Sequence, residues 1–368
     1  MKKVLFINHS RNVAGAETIM LQIINNVFVG GNEKKAFIVE PTGKESSLFK
    51  KKLYDLGITQ CFSLPYKCWG GSFLRSIIVL FFNLYAVLTL VYRVKKERID
   101  IIYSNTSINC IGIMVAILTR KPHIWHFHET IYGYGWTKYL NILYLIFLRY
   151  KKNTVIFISE SQKIGWQTKL PKSFSNSKII YNTIKEINIT DNPSHGDVVF
   201  GYLGSILKEK NIVLLVNAFH ELRYTHSNIK LIIGGTGTDE YKLKELIKRY
   251  SLESSIKMIG YVSDVSPFYE NIDVFVLPSL IESWGLVALE AMSAGKAVIM
   301  TNNSGLHEIL GNEECIFFDP MSKQELLDAM KMLMDEKYRK ALAIRGYRKV
   351  SQYNFNVEFD KSFKILFN

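Results

Sequence analysis

Short apolar runs alternate with longer segments of helical period along the whole chain. In the first half the runs are "KVLFINH", "KAFIVEP", "IDIIYSN", "HIWHFHE", "VIFIS" and "IIYN". In the second half they are "VVFGYLG", "IKLIIGG", "IKMIGY", "VFVLPS", "AVIMTN" and "CIFF". Apolar strands that alternate with helices are typical of parallel sheets covered by helices on both faces. The pattern predicts an α/β protein with two doubly wound sheets of about six strands each.

A polar segment, residues 185–197, separates the two series. It contains Pro and Gly and has no apolar period, which favours a linker. We therefore expect an N-terminal domain over 1–187 and a C-terminal domain over 188–352. In open α/β sheets ligands bind beyond the carboxyl ends of the strands, so two facing domains predict substrates in a central cleft.

Composition agrees with a folded intracellular protein. The chain has 368 residues, of which 48% are hydrophobic and 21% are charged, which is enough for two domains with cores. The four cysteines form no CxxC pair, and "MKKVLFINHS" lacks the pattern of a signal peptide. We expect a cytosolic protein with reduced thiols.

The net charge of +13 is unevenly distributed, because the basic excess lies within residues 1–190. Such a field attracts phosphates, nucleic acid or an anionic membrane. The chain has no helix-turn-helix, zinc-finger or RNA-platform motif, which counts against a nucleic-acid-binding protein. Excess lysine also serves solubility, so charge alone does not decide.

Two apolar, aromatic segments that end in basic residues, 76–98 and 139–152, lie in this basic half. Residues 76–98 predict either a buried helix or a helix at a membrane interface that faces anionic lipid. A membrane span is disfavoured, because its apolar part is borderline against the roughly 20 residues required and a buried strand follows at once. Together the segments indicate peripheral membrane contact.

The most specific stretch is "LPSLIESWGLVALEAMSAGKAVI", residues 277–299. It predicts a strand, a loop that carries Glu282, and a helix that carries Glu290. The amides at the helix start, near Gly285 and Leu286, suit an anionic group. Two carboxylates that flank an amide-lined phosphate site predict a nucleotide-sugar site; alternatively, each glutamate is a surface or helix residue without such a role. By contrast, the glycine loop "GGTGTDE" lacks a dinucleotide fingerprint and a P-loop lysine, which disfavours a dehydrogenase and a P-loop kinase.

The same stretch resembles the Glu-x7-Glu signature of the retaining family 4 glycosyltransferases, the group 1 transferases. Further matches are "NVAGAET", "HFHE", "IIYNTI", "GSILKEKN" and "SGLHEIL", which extend the resemblance over most of the chain. It implies a GT-B fold, two Rossmann-like domains facing a central cleft. It also implies that residues 353–368 form a helix that packs back on the N-terminal domain, which binds the acceptor.

The resemblance implies a role for each matched residue. Glu282 holds hydroxyls of the transferred sugar, Glu290 holds the ribose, and Lys210 stabilises charge on the departing diphosphate. His128 lies near the sugar, with His126 as the weaker candidate. The other residues implied at the donor site are Gly15, Ser205, Gly235, Val262, Gly285 and Leu286. Neither a metal nor a cofactor is implied.

The chain departs from the family pattern at three positions. Ser205 stands where an arginine is usual, Ala14 replaces the first glycine of the N-terminal loop, and Thr183 replaces the glycine after "YN". Ser205 puts one cationic contact to the diphosphate in doubt, which Lys208 could replace. None of the three removes the central glutamates.

The resulting hypothesis is a retaining glycosyltransferase that transfers a sugar from a nucleotide-sugar, with UDP favoured over GDP. The expected acceptor is a lipid-linked saccharide in cell-surface polysaccharide (capsule) synthesis, at the inner face of the cell membrane. One alternative is a non-catalytic GT-B partner subunit of a glycosylation complex. Another is a phosphorylase or sugar-phosphate synthase, which free phosphate or a sugar-phosphate acceptor would distinguish.

Overall fold

The computed structural model describes residues 2–29, 34–44, 46–68, 73–130, 144–171, 173–184, 187, 196–352 and 355–368. Contacts divide the chain into a first unit, Met1–Thr183 with Phe355–Asn368, and a second unit, Ile184–Asn354. Most of the expected linker lies outside the described residues, as do the first five residues of the apolar segment 139–152.

The first unit is built on a seven-stranded parallel sheet of order β3-β2-β1-β4-β5-β6-β7. Its strands are β1 Lys2–Ile7, β2 Lys34–Pro41, β3 Cys61–Leu64, β4 Ile101–Asn105, β5 His123–Phe127, β6 Asn153–Phe157 and β7 Ser177–Ile179. Its helices are α1 Gly15–Phe28, α2 Leu48–Asp55, α3 Phe73–Lys96, α4 Ile111–Thr119 and α5 Glu160–Lys169. β4 and β5 are buried at every position, which is why they appear in the sequence as continuous apolar runs.

The last helix, α12 (Phe355–Leu366), belongs to the first unit although it follows the second in sequence. Its buried faces carry Phe359 and Phe363, and Phe367 follows it. The Phe367 ring lies 5.2 Å from Phe28 and 5.7 Å from Phe6, measured between centroids. The C-terminal segment therefore completes the aromatic core over β1 and β4.

The second unit has a six-stranded parallel sheet of order β10-β9-β8-β11-β12-β13. Its strands are β8 Val198–Leu203, β9 Ile229–Gly234, β10 Ile256–Gly260, β11 Val274–Leu277, β12 Ala297–Thr301 and β13 Ile316–Phe318. Its α-helices are α6 Ile212–Leu222, α7 Glu240–Arg249, α8 Ser266–Glu270, α9 Leu286–Ser293, α10 Lys323–Met332 and α11 Glu336–Gln352. Short 3-10 helices span Lys208–Lys210 and Gly305–Glu308. All six strands coincide with the apolar runs of the sequence.

Two strands of the first unit differ from the prediction. β3 was not predicted, because its four residues are only half-buried until Leu64 and include Ser63. The run "IIYN" was expected to be a strand, but β7 ends at Ile179. The first sheet accordingly has seven strands and not six, while the doubly wound α/β class is confirmed.

Candidate active site

The central feature of the second unit is an ion pair between two predicted site residues. Lys210 ends the 3-10 helix after β8, and Glu282 lies in the loop after β11. Lys210 Nζ is 2.8 Å from Glu282 Oε2, and Ser279 Oγ donates to the same oxygen at 3.1 Å. Burial lowers the pKa of Lys210, but Glu282 and Glu209 outweigh it and raise the pKa above its usual value. Lys210 is therefore a fixed cation.

Backbone hydrogen bonds hold the loop that carries Glu282. Its amide donates to the Asn303 carbonyl at 2.9 Å, and its carbonyl accepts from the Gly305 amide at 3.2 Å. Asn303 Nδ2 donates to the Leu280 carbonyl, and Ser304 Oγ donates to the Trp284 carbonyl. Asn303 and Ser304 thus fix the loop after β12 to the loop after β11.

Helix α9 begins directly after this loop. Gly285 precedes it with φ of +102°, a left-handed conformation that favours glycine. A Cβ there would lie 3.2 Å from Leu306 Cδ1 and 3.3 Å from Leu277 Cδ2, so there is little room for a side chain. The turn presents the first amides of α9, from Leu286 onward, in the position where a helix binds anions.

Glu290 lies inside α9 and is half-buried. Tyr269 Oη donates to its Oε2 at 3.2 Å and also to the Val287 carbonyl at 2.9 Å. Burial, together with the Glu290 carboxylate, raises the pKa of Tyr269 well above its usual value. The tyrosine is therefore a neutral donor that holds one carboxylate oxygen.

The glycine loop after β9 packs against the loop after β8. Gly235 has φ of +127°, and a Cβ there would collide with the Gly204 carbonyl oxygen. Ile206 donates its amide to the Thr236 carbonyl at 2.9 Å. Only glycine at 235 leaves room for the backbone of the segment that leads to Lys210. Ser205 lies in that segment; it is exposed, and its carbonyl accepts a hydrogen bond from Tyr202 Oη. Lys208 is exposed nearby in the sequence.

Val262 lines a cavity of about 460 Å³ beside β9 and the edge strand β10. The walls are mixed apolar and polar, and Tyr261 beside Val262 is 62% exposed. Its position near the carboxyl end of β10 is where an open sheet binds a ligand. The apolar lining includes Ile232, Ile259, Val262 and Phe268, and the polar lining includes Lys257, Ser263, Asp264 and Asn271.

The first unit has its own polar cluster, at the carboxyl ends of β1, β4 and β5. His128, 9% exposed, contacts Asn105 Oδ1 through Nε2 at 2.9 Å, and Asn105 Nδ2 donates to Asn8 Oδ1 at 3.0 Å. Burial, with a smaller effect of His9, lowers the pKa of His128 to about 3, so the ring is neutral. Gly15 is exposed at the first residue of α1, next to Ala14.

His126, the weaker of the two histidine candidates, is a core residue. It is fully buried, its Nδ1 contacts Tyr103 Oη at 2.6 Å, and its ring centroid lies 5.6 Å from that of Phe363. Thr183, at the end of this unit, hydrogen-bonds to Asn356 of α12. Of the two histidines only His128 reaches the polar cluster.

Three residues were missed in the sequence. Ser279 and Glu129 each end a predicted apolar run and lie two residues after the observed strand, β11 or β5, a position that could have identified them. Tyr269 lies on a short helix and meets Glu290 only through the fold, so no local signal identified it. Among the described residues no group of three or more His, Cys, Asp or Glu side chains could hold a metal ion.

Comparison with known proteins decides the family. Residues 184–349 match the family model for glycosyl transferases group 1. The chain is a GT-B glycosyltransferase, and its second unit belongs to the group 1 family. The predictions of fold and transferase class are confirmed, and that of the family is confirmed through the second unit.

Relatives match beyond the second unit. The chain is 28% identical over 309 residues to the capsular polysaccharide biosynthesis glycosyltransferase CapM of Staphylococcus aureus, covering 75% of this chain and 78% of the relative. It is 27% identical over 261 residues to the O-antigen biosynthesis glycosyltransferase WclY of Escherichia coli, covering 64% and 69%. The structure of Anabaena Alr3699/HepE in complex with UDP and glucose aligns with a TM-score of 0.82 at 18% identity, covering 100% of this chain and 99% of that one. The last likeness shows the fold.

Proposed function

We propose that this glycosyltransferase transfers a sugar from a UDP-sugar, with retention and without a metal, to a lipid-linked saccharide in cell-surface polysaccharide synthesis. The observation that carries the proposal is the Lys210–Glu282 pair beside the start of α9, with Glu290 inside that helix. The pair supplies a cation for a diphosphate and a carboxylate for sugar hydroxyls. The α9 amides, from Leu286 onward, add dipole stabilisation of the phosphate charge.

The remaining expected roles are part of the same proposal. Glu290 binds the ribose, and the cavity beside Val262 receives the base. Gly235 and Ser205 form the turn at the diphosphate. In the first unit, Gly15 is part of the donor site and the neutral His128 contacts the sugar. UDP is favoured because a structure of the same fold holds UDP, and a capsular or O-antigen pathway is favoured by the names of the relatives.

A nucleotide-binding experiment tests the donor site. The full chain and its Glu290→Ala variant are heated with UDP, GDP, ADP and UDP-glucose, each with EDTA present. Binding at a hundredfold excess over Kd stabilises the folded state by about 2.7 kcal/mol. We expect UDP compounds to raise the Tm of the wild type and to raise that of the variant far less. A shift with GDP alone would move the donor class to GDP-sugars, and no shift with any nucleotide would contradict the proposed donor site.

Helix α3 supports contact with an anionic membrane. Its buried side includes Val79, Asn83, Ala86, Leu90 and Val94. Its opposite face exposes apolar side chains at helical spacing, with exposures from 44% to 73%: Ile78, Phe81, Phe82, Leu84, Tyr85, Leu88 and Tyr92. A helix that is apolar on both faces has a surface patch that indicates a further interaction. No helix in the described part of the chain is long and apolar enough to cross a membrane.

Basic side chains surround that face and favour a lipid surface as its partner. Lys67 Nζ lies 4.9 Å from the Phe82 ring centroid, and Lys96 Nζ lies 5.8 Å from that of Tyr92. Arg93 and Lys95 are exposed in the last turns of the helix. Aromatic side chains beside bases suit the headgroup region of an anionic bilayer, which would keep the enzyme near a lipid-linked acceptor.

Vesicle cosedimentation tests the membrane contact. We expect the protein to bind vesicles that contain phosphatidylglycerol better than pure phosphatidylcholine vesicles, and Phe81→Ser with Leu88→Ser to reduce that binding. Tyr224→Ser is the matched control, because Tyr224 is 77% exposed on the second unit. Equal binding by the double variant and the control would contradict a contact through α3.

A further inference from the structure

Glu129, which follows β5, has its main chain and one carboxylate oxygen fixed by hydrogen bonds. Its Oε2 accepts from the Ser107 amide at 3.0 Å, Ser107 Oγ at 2.9 Å and the His128 amide at 3.3 Å. Its carbonyl oxygen accepts from Gln162 Nε2 and from Trp166 Nε1, each at 3.0 Å. These contacts fix both the main chain and the direction of the side chain.

The other carboxylate oxygen, Oε1, has no hydrogen-bond partner within the described parts of the chain, and the side chain is half-buried. A carboxylate oxygen can accept more than one hydrogen bond, so this oxygen retains its full capacity. Fixing one oxygen while leaving the other available is an arrangement that suits ligand binding, because the group need not be ordered on binding.

Other ionisable side chains of the first unit lie in the same cluster as Glu129. His9, which follows β1, has Nδ1 at 2.8 Å from Glu17 Oε1, and Glu17 is 1% exposed. Burial lowers the pKa of His9, but Glu17 and Glu129 outweigh it and raise the pKa above its usual value. His128 is the residue directly before Glu129. The described cluster thus contains a hydrogen-bond donor at His9 and an acceptor at Glu129.

We propose that Glu129 binds the acceptor saccharide, with Oε1 accepting a hydrogen bond from an acceptor hydroxyl. This inference rests on the proposed function and names a residue that selects the acceptor. Glu17 is a positioning residue in the same cluster, because it contacts His9 and is itself buried. A neutral sugar is the ligand class, because the carboxylates of Glu17 and Glu129 disfavour an anionic group.

The Glu129→Gln variant separates binding from a merely structural role. The amide oxygen can keep the contacts to Ser107 and His128, while the open position changes from an acceptor to an NH₂ donor. We expect these contacts to retain the loop geometry, and thermal unfolding of the variant separates a loss of binding from unfolding. Glu358→Gln is the control, because Glu358 is exposed on α12 of the same unit.

Two rates are measured with the full chain and the UDP-sugar that the binding panel selects: hydrolysis by water, and transfer to octyl glycosides of glucose, galactose and N-acetylglucosamine. We expect Glu129→Gln to keep the hydrolysis rate and to lose about 10- to 100-fold in kcat/KM for the preferred glycoside. The loss should disappear with the deoxy glycoside that lacks the contacted hydroxyl. An equal fall in both rates, or no fall in transfer, would overturn the inference. Absence of wild-type hydrolysis and transfer with any UDP-sugar would instead contradict the proposed function.

Discussion

Lys210 and Glu282 neutralise each other across 2.8 Å, and their side chains are 27% and 14% exposed. A partly buried charge is costly without a partner, so each residue stabilises the other in the absence of substrate. In the proposed donor complex, Lys210 would exchange the carboxylate for diphosphate oxygens, while Ser279 would remain on Glu282. The ion pair thus holds the cation and the carboxylate that the proposal assigns to the donor.

The Lys210→Met variant should lose catalysis while it keeps its fold. Removing one preorganised group that stabilises developing charge costs about 10²- to 10³-fold in kcat. Initial rates of UDP release at saturating donor measure the loss, and thermal unfolding checks the fold. Lys337→Met is the control, because Lys337 is exposed on α11 of the same unit. Similar losses in both variants would show that general positive charge matters and not the paired lysine.

Glu290→Gln should weaken UDP binding by about 10- to 100-fold, because a hydrogen bond to a charged acceptor contributes about 1.5–3 kcal/mol. Tyr269→Phe should instead lower the free energy of unfolding by about 1 kcal/mol, because it removes donors to Glu290 and to the Val287 carbonyl. Isothermal titration with UDP and urea denaturation separate the effects. If Tyr269→Phe weakened UDP binding as much as Glu290→Gln, ribose binding would depend on the tyrosine.

Local sequence predicted the strands of the second unit and placed Glu282 in a loop and Glu290 in a helix, because burial on both faces and helical period are encoded locally. It did not identify β3, whose four residues owe their strand to pairing with β2. It could not pair Lys210 with Glu282, or Ser107 with Glu129, because these partners meet only after the strands order themselves in the sheet. The contacts that set the protonation of Lys210 and the orientation of the Glu129 side chain could therefore not be predicted from sequence patterns.

Gly235→Ala should destabilise the second unit more than Gly260→Ala. Both glycines have positive φ, +127° and +70°, but only a Cβ at 235 meets backbone, the Gly204 carbonyl. Gly260→Ala should lower the free energy of unfolding by about 1–2 kcal/mol, because alanine is strained in the left-handed conformation. Gly235→Ala adds displacement of the loop that leads to Lys210. Urea denaturation measures the free energy of unfolding of both variants. Equal destabilisation would contradict the prediction, because it would mean that moving the loop after β9 away from the loop after β8 costs no free energy.

Three buried histidines of the first unit should make its stability fall in acid. Burial lowers the pKa of His123 and of His128 to about 3, and burial with His128 lowers that of His126 well below its usual value. Below pH 6.5 the unfolded chain binds protons that the folded unit does not, so the free energy of unfolding decreases from pH 6.5 towards pH 3. His9 acts in the opposite sense: its raised pKa adds stability below pH 6.5, which is lost as pH rises through its folded value.

The His126→Gln variant isolates one of these protons, because a glutamine oxygen can still accept from Tyr103 Oη. Urea-dependent hydrogen exchange of β5 peptides gives the free energy of unfolding between pH 4.5 and 6.5. The variant's slope should be lower by about 1.4 kcal/mol per pH unit, the effect of one proton, where the unfolded histidine is fully charged. His226→Gln in the second unit should leave the β5 slope unchanged. An unchanged slope in His126→Gln would mean that His126 takes up its proton in the folded unit. The decrease in stability at acid pH would then have to come from His123, His128 and the carboxylates.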